Sequence, residues 1–224
     1  MVNILITGGS GFIGANLAYR LSKSKNNITL FVRPKSNLWR LNALTSKVSI
    51  HKIDIFKKKE LDSEINTIKP DIVYHCATYG VYNFQKNFNN MVNTNITGTH
   101  SLLESLLEYN DVEKIINMGS SFEHGVKNEP LRENALSRPT TLYGICKNTQ
   151  TSIAQYFAKN KNLPVITFRL FAPYGKYDSS GRLMADLMCA LINKTRVKLG
   201  DKNAIRDFIY IDDVIDALIL GAKK

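Results

Sequence analysis

The chain has 224 residues, and its 30 Lys+Arg against 19 Asp+Glu give a formal charge of +11. That length predicts one domain, or one plus a fragment, and a composition 44% hydrophobic and 22% charged excludes a disordered chain. No run approaches the about 18 apolar residues of a membrane span, and the start has neither the basic segment nor the cleavage site of a secretory signal.

Short β-branched runs alternate with helical patterns. The run 2–6 leads into Gly8-Gly9-Ser10-Gly11-Phe12-Ile13-Gly14, and Leu17 and Leu21 then mark a helix. Further apolar runs lie at 28–32, 48–53, 71–75, 114–118 and 165–170, with one continuous helix expected over 90–109. Nearly unbroken apolar strands with helices between them predict an α/β fold, a doubly wound parallel sheet covered on both faces. Residues 173–207 break the alternation, and 211–218 reads as a helix capped by aspartate.

Cys76, Cys146 and Cys189 are widely separated, so neither a zinc site nor a disulfide framework is expected, and a cytoplasmic setting fits. Residues 1–60 hold eleven Lys/Arg against Asp54 and Glu60, a net +9. Such a basic half suits nucleic acid, a membrane surface or a polyphosphate ligand. No reading motif or stacking platform for nucleic acid accompanies it.

The glycine-rich turn between first strand and first helix lets the backbone approach a pyrophosphate, which the free N–H groups of the helix start then bind. The alternative is a tight turn that serves only helix packing. An NAD site places an acid at the end of the second strand, for the ribose 2′-hydroxyl. Here Val32 and then Arg33 stand there, and an arginine pairs with a 2′-phosphate, so NADP is expected ahead of NAD. Lys35, Ser36 and Asn37 could add contacts, or Arg33 is a solvated loop charge. Asp54 suits the adenine amino group or, alternatively, a helix cap.

Tyr143 and Lys147 lie four residues apart, on one helix face. A nearby ammonium favours the phenolate, so the pair can exchange a proton with a carbonyl or alcohol oxygen. Ser120 follows the strand 114–118, at the sheet edge where parallel sheets bind ligands.

These residues give the chain a resemblance to the extended short-chain dehydrogenase/reductases, of the NAD-dependent epimerase/dehydratase kind that acts on nucleotide sugars. The resemblance spans the whole chain. TGGSGFIG at 7–14 matches TGxxGxxG, and Asp54-Ile55 matches the adenine-contacting acid and its neighbour. His75-Cys76-Ala77 resembles the HxA turn beside the cofactor ribose, and Asn95-Ile96-Thr97-Gly98-Thr99 matches NxxGT. Gly119-Ser120-Ser121-Phe122-Glu123-His124-Gly125 resembles the SSSxxYG loop. Arg169-Leu170-Phe171-Ala172-Pro173-Tyr174-Gly175 matches RxxNxYG, and the run from Arg206 to Val214 is close to RDFxxxDDV.

The resemblance implies that Tyr143 is the acid–base residue, with Lys147 holding the nicotinamide ribose and tuning Tyr143. Ser120, with Ser121 beside it, would bind the reacting sugar, and Arg206 the substrate diphosphate. Gly8, Gly11, Phe12, Ile13, Gly14, Arg33, Asp54, Ile55, Ala77 and Asn95 would line the cofactor, and no metal is implied. Asn95 would also support the polar network of the site, with helix packing as its alternative, and Arg206 has as its alternative an ion pair with Asp207 or another acid.

Departures narrow the chemistry. The glutamate that performs elimination in sugar dehydratases is replaced by Phe122, which disfavours 4,6-dehydration. Glu123 is expected to point elsewhere, as a solvated or backbone-bonding carboxylate, and His124 to be structural. Ala172 removes the usual asparagine. The loop most resembles the 4-keto-reductases that make deoxy-sugars for surface polysaccharides. The expectation is therefore NADPH-dependent reduction of a 4-keto nucleotide sugar. Its alternatives are an NAD-dependent epimerase or a catalytically weak NADP-binding protein. A Rossmann-like domain over 1–172 and a truncated substrate lobe over 173–224 are expected. The resemblance implies a homodimer paired through the helices at 90–109 and 143–160, and Leu102, Leu103, Leu106 and Leu107 exceed one buried face. Core burial of both faces is the alternative.

Overall fold

The computed structural model describes residues 1–82, 84–127, 129–197, 199–201 and 203–223. Its centre is a parallel sheet of six strands in the order β3-β2-β1-β4-β5-β6. These are β1 (Asn3–Thr7), β2 (Asn27–Val32), β3 (Ser49–Lys52), β4 (Ile72–His75), β5 (Lys114–Ser120) and β6 (Val165–Leu170). Alternate residues of β1 serve opposite faces of the pleat. Ile4 and Ile6 join α1 (Phe12–Leu21) and α7 (Ile211–Lys223) in one buried cluster. Leu5 joins the other, with α2 (Lys58–Ile68), α4 (Gly98–Tyr109) and α5 (Leu142–Lys161). That is the doubly wound arrangement expected from the strand pattern.

The strand order reverses between β1 and β4, whose register pairs Thr7 with His75. Ligands bind at such a switch point, outside the carboxyl ends of the strands. Here the glycine turn after β1 and the Ala77-Thr78 segment after β4 meet there. His75 clamps them from below. Its Nδ1 lies 2.7 Å from the Thr7 hydroxyl and its Nε2 2.8 Å from the Thr99 hydroxyl. Thr99 donates to the Asn95 carbonyl, so it accepts from Nε2, and Thr7 donates to Nδ1 while accepting from the Ala77 N–H. Burial pushes the imidazole down to about 3, so it stays neutral.

Three local expectations change. The helix over 90–109 is two segments, α3 (Phe88–Val92) and α4, joined by one π-helical turn at Asn93–Thr97. Leu102, Leu103 and Leu106 are fully buried within the chain. Core burial therefore explains them, and they say nothing about a dimer. The last helix runs on to Lys223, and Asp212 and Asp213 occupy its first turn, where acids suit the helix dipole, rather than capping it. Beyond the main sheet, β7 (Ala172–Tyr174) and β8 (Phe208–Tyr210) form a separate parallel pair, with α6 (Leu183–Asn193) between them in sequence. No helix among the described residues is long and apolar enough to cross a membrane.

Candidate active site

The glycine turn is shaped by contacts that leave no room for side chains. Gly8 has φ +68°, and a Cβ there would lie 2.7 Å from the Ala77 backbone. A Cβ on Gly14 would lie 2.5 Å from the Gly8 carbonyl. Gly11 caps α1 with no side-chain bond, and no acid lies in the first turn. The Ala15 N–H is the first to bond within the helix, to the Gly11 carbonyl. The N–H groups of Phe12, Ile13 and Gly14 therefore face an anion site with the positive end of the dipole behind them. This cradle fits the pyrophosphate of a dinucleotide. Gly8→Ala combines a left-handed backbone with a backbone clash. It is expected to cost about 2 kcal/mol or more and to weaken dinucleotide binding more than about tenfold. A thermal melt and a cofactor titration measure the two effects.

Arg33 is exposed just beyond the end of β2, with Lys35 and Asn37 exposed beside it. Asp54 is half-buried after β3, and Ile55 is buried. Helix α2 starts at Lys58 with Lys57 as cap residue and no side-chain cap, so the helix-cap alternative for Asp54 fails.

Two elements, β5 and α5, bring Ser120, Tyr143 and Lys147 together. Ser120 ends β5 and is buried. Thr141 caps α5 by accepting from the Gly144 N–H at 3.0 Å, which sets Tyr143 in the first turn. The Tyr143 phenol is half-buried beside the hydroxyls of Thr78 and Ser120. Burial is the largest influence on it and holds its pKa above the usual value, against the pull of those two hydroxyls. Lys147 is buried as well. Its ammonium donates to the Met118 carbonyl and to Gln150 Oε1 at 2.6 Å, leaving a third donor for a ligand. Desolvation lowers it to about 8, while Glu123 and Cys76 act to raise it. The expectation that Lys147 depresses the Tyr143 pKa is therefore corrected. The charged groups acting on the phenol are Glu123 and Arg182, and its net shift is upward.

Asn95 has no exposed surface. Its Oδ1 accepts from the Thr78 hydroxyl and the Tyr79 N–H, each at 3.0 Å, and its Nδ2 donates to the Tyr79 carbonyl at 2.7 Å. Asn95 thus supports the polar network of the site: it fixes the loop that presents Thr78 to Tyr143. The π turn carries Asn95, as such turns often carry functional residues. Arg206 is exposed and donates to the neighbouring Ile205 carbonyl at 2.8 Å. Among the described residues it makes no ion pair with Asp207. Ser121 starts the 3₁₀ turn Ser121–Glu123, and the exposed Phe122 ring packs edge-on to Tyr143 at 5.6 Å.

Glu123 is not solvated: it has no exposed surface and pairs with Arg169 at 2.9 Å, and its bond from the Ser120 N–H at 2.7 Å bears out the backbone-bonding alternative. His124 is buried, as the structural reading expects. Sequence reasoning missed Thr78, Gln150, Arg169 and Arg40. Arg40 Nε donates to the Tyr177 carbonyl at 2.8 Å and its Nη2 to the Ser179 hydroxyl at 2.6 Å, while Nη1 reaches the Ser10 carbonyl. It thereby straps the segment after β7 to the glycine turn. No signal within either segment announces that pairing. Among the described residues no group of acids, histidines and cysteines could hold a metal ion.

Residues 4–224 match the model of the NAD dependent epimerase/dehydratase family. The chain is 29% identical to a dTDP-D-glucose 4,6-dehydratase of Dictyostelium discoideum, over 99% of this chain and 55% of that protein. It is also 29% identical to a UDP-N-acetyl-alpha-D-glucosaminuronate decarboxylase of Bacillus cytotoxicus, over 98% of this chain and 71% of the relative. It therefore spans about half of the first relative and under three quarters of the second. Among solved structures, UDP-glucuronic acid 4-epimerase from Bacillus cereus, in complex with UDP-glucuronic acid and NAD, superposes with a TM-score of 0.87. That match has 27% identity and covers 99% of this chain and 73% of the epimerase.

Proposed function

Because the chain belongs to the NAD-dependent epimerase/dehydratase family, we propose that it is an enzyme that oxidises and re-reduces one carbon of a nucleotide sugar, as an NAD-dependent epimerase does. The observation that carries this reading is the Tyr143 phenol beside the Ser120 and Thr78 hydroxyls, with the Phe122 ring as neighbour. Phenylalanine cannot transfer a proton, so the site offers acid–base chemistry at one oxygen and no group at that position for elimination.

The glycine turn, with the free N–H groups of Phe12, Ile13 and Gly14, would hold the dinucleotide, and Lys147 would offer its third donor to the ribose. Bound NAD supplies a hydride acceptor and, after reduction, a hydride donor. Tyr143 takes the proton of the sugar hydroxyl during oxidation and returns it during reduction. Ser120 donates to that oxygen and orients it. Thr78, fixed by Asn95, supports the phenol.

A second reading, NADP-linked reduction of a 4-keto sugar, is favoured by Arg33, which stands exposed where an acid would meet the ribose 2′-hydroxyl. Titration with NAD and NADP separates the two. The epimerase reading expects NAD to bind about tenfold tighter or more, and Arg33→Ala to change NAD affinity less than about threefold. Preference for NADP, lost in Arg33→Ala, would instead support the reductase. Incubating the NAD-loaded protein with UDP-sugars and resolving the C4 epimers tests the activity itself.

The proposed assembly is a homodimer through α4 and α5, and on α5 Leu142, Ile145 and Tyr156 are exposed. The free thiols of Cys76, Cys146 and Cys189 suit a reducing, cytoplasmic setting.

A further inference from the structure

Glu123 is a buried carboxylate outside the proton transfer described above, and it grips three elements. Its Oε1 accepts from the Ser120 backbone N–H at 2.7 Å and from the Thr151 hydroxyl at 3.1 Å. Its Oε2 accepts from Arg169 Nε at 2.9 Å. In return the Ser120 hydroxyl accepts from the Phe122 N–H at 3.3 Å, which closes a capping box around the turn. Gly119 makes the geometry feasible, because a Cβ there would lie 2.7 Å from Glu123 Oε1 and 3.0 Å from Arg169 Cγ. Tyr143, Lys147 and Thr151 follow one another at intervals of four residues, so they share one face of α5. One carboxylate thus holds both the backbone of Ser120 and the helix face that carries Tyr143 and Lys147. Arg169 extends the grip by donating to the Glu133 carbonyl at 3.1 Å.

We propose that Glu123 is a positioning residue, which locks Ser120 against the Tyr143–Lys147 face of α5 so that both hydroxyls converge on one substrate oxygen. The proposal rests on the roles given to Ser120 and Tyr143 above. The charge of Glu123 also bears on its neighbours. Facing it are Lys147 and Tyr143 from α5, Arg169 from β6 and His124 from its own turn. Lys147 in turn faces His75 and Cys76 from the β4 side, and Tyr143 faces Arg182 at the start of α6. The carboxylate raises both Lys147 and Tyr143. Neutralising it removes that effect and favours the phenolate.

The test uses the NAD-loaded protein with an accepted nucleotide sugar. Glu123→Gln keeps the size but sets an amide against Arg169. It is expected to lower kcat about tenfold with KM within about twofold, and to move the acidic limb of the kcat profile down by about half a pH unit. The double variant Glu123→Leu/Arg169→Leu guards against misfolding, since apolar replacement of a buried ion pair is commonly tolerated. It is expected to melt cooperatively and show the same loss of kcat. Wild-type kcat and pH profile in Glu123→Gln, or full activity in the folded double variant, overturns the proposal. If the wild-type protein turns over no nucleotide sugar, the functional reading fails separately. Ultraviolet titration of the Tyr143 phenolate, taken as the difference from Tyr143→Phe, then still decides: a lower pKa in Glu123→Gln supports the role, and an unchanged one overturns it.

Discussion

Replacing Tyr143 by phenylalanine is expected to lower turnover of the accepted nucleotide sugar by about 10²–10⁴-fold, the usual contribution of a positioned acid–base group. The same variant is expected to bind the dinucleotide within about threefold of the wild type, because the glycine cradle is untouched. The ring also keeps its edge contact with Phe122. Only the hydroxyl beside Ser120 and Thr78 is lost. Single-turnover reduction of bound NAD by the sugar reads the chemical step directly. Activity within about tenfold of wild type would remove Tyr143 from the acid–base role. The high pKa of the phenol adds a pH signature. In the free protein the hydroxyl is protonated at neutral pH, so oxidation, which needs a base, is expected to quicken as pH rises.

Lys147→Met is expected to have the next largest effect, in stability as well as in activity. Turnover is expected to fall about a hundredfold or more, since the donor for the ribose is gone. The stability effect follows from burial. The unfolded ammonium titrates near its ordinary value, while in the folded protein desolvation lowers it to about 8. At neutral pH both states hold the proton, and the folded state bears the full cost of a desolvated charge. Between about pH 8 and about pH 10.5 the folded state releases the proton first, so stability rises with pH across that window. The methionine variant lacks this term. The wild-type unfolding free energy is therefore expected to gain roughly 2 kcal/mol on the variant between about pH 7.5 and about pH 10. Tyr74 and Cys76, both pushed by burial up to about 12, act in the opposite sense at high pH. Both proteins contain them, and because Lys147 itself acts on Cys76, the difference between denaturant melts at each pH reports Lys147 together with that coupling. A constant difference would contradict the lowered pKa.

Legibility from sequence followed the range of the interactions. Strand runs, the glycine turn and the Tyr143–Lys147 spacing are set within about ten residues, where periodicity and backbone sterics act, and the structure has each of them. Even there the π turn at Asn93–Thr97 was invisible, because a single added residue per turn leaves no mark in an apolar pattern. The burial of Glu123 is hidden for a related reason. A carboxylate in a polar loop gives no sign of facing inward, and its partner Arg169 lies 46 residues away.

By itself the sequence determined the fold class, the glycine turn after the first strand and the spacing that sets Tyr143 and Lys147 on one helix face, with Ser120 at the end of its strand. Each depends on residue type and short spacing. Tertiary structure alone decided what surrounds the trio. It buried Lys147 on the Met118 carbonyl and Gln150, so that desolvation outweighs its charged neighbours. It turned Asn95 toward Thr78 and Tyr79, and it joined Arg40 to a segment 137 residues distant. Desolvation and hydrogen bonding between remote segments depend on which surfaces meet when helices close over the sheet, and no local pattern along the chain records that meeting.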